Sequence, residues 1–221
     1  MRRVAFVSVM LALMAALTAC GDYANSVKSD ISVPASNGPN PGNLPNPNTV
    51  PKPLTPQGYA SSLSPVTIEE VMLDPVGPNS GLQYVELYNA SSSPADLGGW
   101  VLSSGADNYT FPYGFTVAAG DRVLVHLFAA GTETANQRYA PSFGELDAVQ
   151  GSLALLRGGV DVVDYVQWGN PGHAFESAAA SVSEWVAGDY VLAPIEGHSL
   201  NYTGLANDSS AWFEWYASPG N

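Results

Sequence analysis

Side chains that could act as nucleophiles, bases or metal ligands are few and scattered in this 221-residue chain. The three histidines, His126, His173 and His198, stand far apart, and none belongs to a His-x-x-x-His pair that would hold zinc on one helical turn. Serines are plentiful, yet no Gly-x-Ser-x-Gly elbow exposes one as a nucleophile. A Gly-Lys-Ser phosphate loop is missing as well. Carboxylates are the stronger candidates. Glu69, Glu70, Asp74 and Glu86 fall in neighbouring segments, and Asp74 opens a turn, Asp74-Pro75-Val76-Gly77-Pro78-Asn79-Ser80-Gly81, rich in the oxygen ligands that calcium accepts. Asp74 and Glu86 are therefore the candidate calcium ligands, although no Asp-x-Asp-x-Asp loop accompanies them. Asp161 and Asp164 would project to opposite faces of a regular strand. The expectation is a protein with no catalytic residues and no cofactor.

Aromatic residues give the clearest hint of binding. If Trp212-Phe213-Glu214-Trp215-Tyr216 is a strand, Trp212 and Tyr216 share one face while Phe213 and Trp215 share the other. A two-layer sandwich buries one face of each sheet, so one pair is either exposed or covered by a loop such as 169–195. Exposed aromatics stack on sugars or fill partner pockets, which makes Trp212, Trp215 and Tyr216 candidate contacts for a protein or glycan.

The lone cysteine, Cys20, can form no intramolecular disulfide, and its position suggests another role. Arg2-Arg3 precedes an apolar run from Val4 to Leu17, and the segment closes with Leu17-Thr18-Ala19-Cys20. A basic start, a short apolar stretch and small residues describe an export signal, too short to span a membrane as a helix. The closing residues resemble the lipobox of bacterial lipoproteins. That resemblance implies cleavage after Ala19, conversion of the Cys20 thiol to a thioether that bears lipid with acyl chains such as palmitate, and attachment to a bacterial cell envelope, at the outer membrane or cell surface. The chain has 7 Lys+Arg against 20 Asp+Glu, a formal charge of −13. Loss of both leader arginines leaves 5 cations against the same 20 acids, or −15. So anionic a chain lacks the clustered cations that nucleic-acid binding needs.

Three regions follow: a signal peptide at 1–19, a lipidated N-terminus and linker at 20–63, and a folded domain at 64–221. The linker is dominated by Pro, Asn, Gly and Ser, as in Gly38-Pro39-Asn40-Pro41-Gly42-Asn43, and cannot bury enough apolar surface to order itself. Fully extended, at about 3.1 Å per residue, it would reach about 130 Å. Its charges cancel, since Asp22 and Asp30 balance Lys28 and Lys52.

The domain reads as all-β. Strand candidates are 66–73, 82–88, 99–103, 109–111, 122–127, 152–156, 160–168, 198–202 and 212–216, separated by Gly- and Pro-rich turns. Between His173 and Val186, the spacing of Phe175, Ala179, Val182 and Val186 predicts a short helix with Pro171 near its start, or an irregular loop. Trp100, after Gly98-Gly99, is the expected aromatic anchor of the core.

The order of segments resembles the lamin-tail domain, an immunoglobulin-like sandwich of nuclear lamins and many secreted bacterial proteins. The residues that carry this are Ile68-Glu69-Glu70-Val71-Met72-Leu73-Asp74-Pro75, Tyr84-Val85-Glu86-Leu87-Tyr88-Asn89 and Asp96-Leu97-Gly98-Gly99-Trp100. Ala119-Gly120-Asp121-Arg122-Val123 and the closing Ser218-Pro219-Gly220-Asn221 fit as well. The resemblance implies an immunoglobulin-like β-sandwich acting as a non-catalytic binding or scaffolding module. Since bacterial lamin-tail domains often share a chain with nucleases or phosphatases, it also implies an alternative, an accessory to a secreted hydrolase or nuclease acting in trans.

Overall fold

The computed structural model describes residues 65–220. The leader, Cys20 and the linker lie outside the described residues. Strand β1 (Val66–Met72) pairs antiparallel with β2 (Tyr84–Asn89) across the turn that Asp74 opens. The short ribbon β3 (Ala95–Asp96) and β6 (Thr116–Val117) flanks β4 (Val101–Ser103) and β5 (Asn108–Thr110) in the chain. Next come β7 (Arg122–Leu127), β8 (Gln137–Ala140), β9 (Gly151–Arg157) and β10 (Asp161–Trp168). After the helix α1 (Glu176–Ser181), β11 (His198–Tyr202) and β12 (Trp212–Tyr216) finish the fold. Six strands form one sheet in the order β12-β11-β1-β2-β7-β8, and four form a second in the order β10-β9-β4-β5. All pairings within these sheets are antiparallel except that of β7 with β8.

Strict alternation decides which side chains meet between the sheets. Val85 and Leu87 on β2, Val123, Val125 and Leu127 on β7, and Leu153 and Leu155 on β9 are fully buried. The run Ile68-Glu69-Glu70-Val71 departs from alternation by one residue, and the chain absorbs it as a bulge: Ile68 pairs with Leu87 and Glu70 with Glu86, leaving Glu69 as the extra residue. Ile68 and Val71 thereby both stay in the core while the glutamates turn outward.

One expectation needs correction. Trp100 is only partly buried, packed on the core margin, and the indole at its centre is Trp168, fully buried at the end of β10. Its Nε1 donates to the carbonyl of Asp147 at 2.9 Å. Gly151 stands opposite, where a Cβ would come within 2.7 Å of that indole. The short helix expected between 173 and 186 is present as α1 and ends at Ser181. Beyond it Ser183 turns left-handed (φ 63°), and Val182 and Val186 remain exposed. The stretch from Gly169 to Gly197 forms a third layer over the outer face of β10. There Trp185 packs edge-on against Tyr165 at 5.5 Å, and Gln167 reaches Glu176 at 2.9 Å and the carbonyl of Asp189 at 2.6 Å.

The antiparallel register gives the sandwich two ends. The chain comes into β1 at the near pole, beside the 90–94, 112–115, 158–160 and 203–211 turns. At the far pole lie the 73–83, 104–107 and 141–150 loops and the end of the 169–197 stretch.

Candidate functional site

The densest group of ionisable side chains lies on the outward face of the six-stranded sheet. Glu69, Glu70 and Glu86 are all at most 1 % exposed there. Such burial is tolerable only where charge and hydrogen bonds compensate it. Arg122, first residue of β7, clamps Glu69 with both guanidinium edges, Nε on one oxygen and Nη2 on the other at 2.8 Å. The same Nε stands 3.4 Å from Glu86, and the guanidinium lies over the Tyr88 ring at 4.4 Å. Burial alone would loosen the arginine's proton, but the hydrogen bonds and charge of Glu69 outweigh it and hold the pKa above its ordinary value.

Glu70 is held by neutral donors. Tyr84 Oη donates to its Oε1 at 2.7 Å, as does Ser199 Oγ at 2.7 Å, and the Ser218 backbone N–H does so at 2.9 Å. Ser218 Oγ donates to the other oxygen at 3.1 Å. Burial, with the charge of Glu70 beside it, pushes the Tyr84 hydroxyl far above the usual phenol range, so it stays a donor. Glu86 Oε2 accepts the N–H of Gly220. These carboxylates therefore hold the chain's own C-terminal segment against the sheet, with Ala217 packed on Met72, Tyr84 and Leu124. Sequence reasoning missed Arg122, Ser199 and Ser218 as members of the group. The available signals were the doubled glutamate that breaks alternation and the closing Ser-Pro-Gly.

The calcium candidates are not brought together. Glu86 sits in mid-sheet facing Arg122 and Gly220, while Asp74 lies past the end of β1, its carbonyl accepting Gly197 N–H at 2.7 Å. Among the described residues no three of His, Cys, Asp and Glu are grouped so as to hold a metal ion. The aromatic candidates divide. Trp212 belongs to the core, 7 % exposed, with its ring 5.2 Å from that of Tyr202, because it pairs with Tyr202 on the inward face. It is therefore no surface contact. Trp215 and Tyr216 are half-buried, 5.9 Å apart, and Tyr216 also meets the His198 ring at 4.6 Å. The 169–195 loop covers β10 rather than this strand.

The histidines are also built into local contacts. His126 is half-buried and stacked on Tyr139 at 4.7 Å, and burial lowers its pKa. His198 Nδ1 pairs with Glu214, and His173 Nε2 lies 2.6 Å from Asn170 Oδ1.

Asp164 is the buried acid of the interior. An extra residue in β10 between Val162 and Asp164 alters the regular count, so the side chain points inward. There Oδ2 accepts the N–H of Ile68 across the sandwich and Oδ1 that of Tyr165 at 2.8 Å. Burial raises its pKa to about 8, partly opposed by the Ile68 N–H and reinforced by Glu184. The folded-state value lies above the unfolded one, so this group's stabilising contribution is complete below the unfolded value and is lost as pH rises through about 8. Urea unfolding of the wild type and Asp164→Asn should show the variant's deficit shrinking by at least about 1 kcal/mol between pH 5 and pH 8.5. A deficit independent of pH would contradict this assignment.

At the far pole one amide joins three loops. Gln83, 1 % exposed, donates through Nε2 to the carbonyls of Leu73 at 2.6 Å and Leu146 at 2.8 Å. Its Oε1 accepts Leu146 N–H at 2.7 Å, and its own carbonyl accepts Leu127 N–H at 3.0 Å.

Two facing sheets, a core of alternating aliphatics and a carboxylate network that holds a chain end define an immunoglobulin-like all-β sandwich. The lamin tail domain family model matches residues 60–170, and the chain belongs to that family. The match ends where the 169–197 stretch begins, ahead of β11 and β12, which complete the six-stranded sheet. No curated protein is detectably similar to the chain. Among the described residues no helix is long and apolar enough to cross a membrane.

Proposed function

We propose that this is a cell-envelope protein, attached to a bacterial membrane through lipid on Cys20, whose lamin tail domain serves as a non-catalytic binding or scaffolding module for a protein or glycan. The observation that carries the reading is the commitment of the domain's charged motif residues to the fold: Glu69 to Arg122, Glu70 to Tyr84, Ser199 and Ser218, and Glu86 to Gly220. Side chains engaged in this way are not placed to exchange protons with a substrate. The leader supports the attachment, since its basic start, apolar run and Leu17-Thr18-Ala19-Cys20 close fall in register. Two acyl chains, at about 0.8 kcal/mol per buried methylene, suffice for stable anchoring.

Metabolic labelling with a palmitate analogue tests the attachment. The wild-type chain should be labelled and sediment with membranes, and Cys20→Ala should be unlabelled. An unlabelled wild type, or label that survives in Cys20→Ala, contradicts it.

A further inference from the structure

We infer that the far pole of the sandwich is a docking surface for a cationic polypeptide segment that carries apolar side chains between its basic ones; this deepens, and rests on, the reading of the domain as a binding module. Soluble domains seldom expose contiguous apolar side chains without a use for them. Here Val76 is 75 % exposed, Val149 71 %, Leu192 77 % and Ile195 63 %. Leu82, on the same loop as Val76, and Phe128, whose carbonyl lies against Gly81 of that loop, are about half exposed.

These side chains belong to loops that touch. Gly197, near Ile195, abuts Val76, and its N–H is bonded to the Asp74 carbonyl. Gly169 lies against the Val149 carbonyl and donates its N–H to that of Val191, next to Leu192. Gln83 fixes the ends of the 73–83 and 141–150 loops to each other, so the surface is pre-formed and binding need not first order it. Phe128 holds a left-handed backbone, φ 48°, a conformation that disfavours any residue with a Cβ by about 1–2 kcal/mol. The fold thus retains an exposed aromatic where glycine would be less strained.

Charge identifies the partner. Residues 65–220 hold three arginines against eighteen carboxylates, a net −15. Arg122 opens β7 and Arg157 ends β9, both at the near pole, while Arg138 lies opposite Val125 within the sheet with its guanidinium over Phe115 of the near-pole 112–115 turn, away from the far-pole loops. The far-pole loops hold Asp74, Asp107, Glu145, Asp147 and Glu196 and no lysine or arginine. An apolar surface ringed by one sign of charge favours a partner of the opposite sign and repels another acidic chain.

A dye-labelled peptide of alternating lysine and valine, titrated against the full chain by fluorescence anisotropy, tests the inference. Its glutamate-for-lysine counterpart is the control. The lysine peptide should bind, weaken with added salt and weaken at least tenfold against Val76→Ser/Val149→Ser/Ile195→Ser, whose exposed sites leave the melting temperature unchanged. Tyr113→Ser/Val160→Ser, at the near pole, should bind like the wild type. Absent or equal binding of the two peptides, or full affinity in the triple variant, overturns the inference. A photo-cross-linker in place of Val149, Trp215 or Val160 of the anchored chain separates it from the reading beneath it. An adduct from position 149 is expected. Adducts from position 215 alone overturn the far pole as the surface while the binding module stands, and none from any position contradicts both.

Discussion

Replacing Arg122 by alanine should destabilise the domain by about 3–5 kcal/mol, the range for removing one partner of a buried ion pair and leaving the other behind. The reason is local. The guanidinium forms two hydrogen bonds to Glu69 and lies 3.4 Å from Glu86, and both carboxylates are almost wholly shielded from water. Lysine should rescue little, because an ammonium cannot present the two parallel donors that Glu69 accepts. Exposed Arg157, replaced by alanine, should change stability by no more than about 0.5 kcal/mol. Urea unfolding of the three variants measures this ordering. A loss near that of Arg157→Ala would mean that Arg122 does not neutralise the buried acids.

Gln83→Ala should cost a similar amount, about 3–5 kcal/mol, for a different reason. No charge is lost, but the carbonyls of Leu73 and Leu146 and the N–H of Leu146 each lose a bond in a site closed to water. Each such stranded group costs about 1–3 kcal/mol. The damage should stay at the far pole, with amide exchange there accelerating more than in β11. Unfolding of Gln83→Ala with a midpoint equal to the wild type would show that the amide is not the tie among these loops.

Much of the fold was legible because its determinants are local. Alternation in Tyr84–Tyr88 and Arg122–Leu127, bounded by turn residues, placed β2 and β7 and their inward faces correctly. Helical spacing between His173 and Val186 marks the short helix α1, which stops at Ser181. Gln167 and the N–H groups of Gly172 and Gly188 gather around Glu176 and fold the chain back, and those bonds depress the Glu176 pKa. Trp100 yielded its central place to Trp168 because Gly151 leaves space for an indole that no short window reveals. Ribbon β3 and β6, and the edge strand β8, were missed because two to four residues carry too little periodicity.

Of the candidate site, residue types were legible and partners were not. Glu70 and Ser218 are separated by 148 positions, and nothing in either segment names the other. The aromatic strand β12 shows the same limit. Both faces of Trp212–Tyr216 carry large aromatics, so alternation could not say that Trp212 turns inward, which its pairing with Tyr202 decides. The carboxylates of the lamin-tail-like segments thus hold residues 217–220 against the sheet, and in the proposal made above recognition falls to side chains on exposed loops that no motif marks.

Amide exchange at Ser218 and Gly220 tests the structural half of that statement most directly. Their N–H groups are bonded to Glu70 and Glu86, so both should be protected in the wild type. Glu70→Gln should speed the Ser218 amide ten- to a hundredfold, as expected for loss of about 1.5–3 kcal/mol in a bond to a charged acceptor. Unprotected exchange at both positions in the wild type, or no change in Glu70→Gln, would contradict the account.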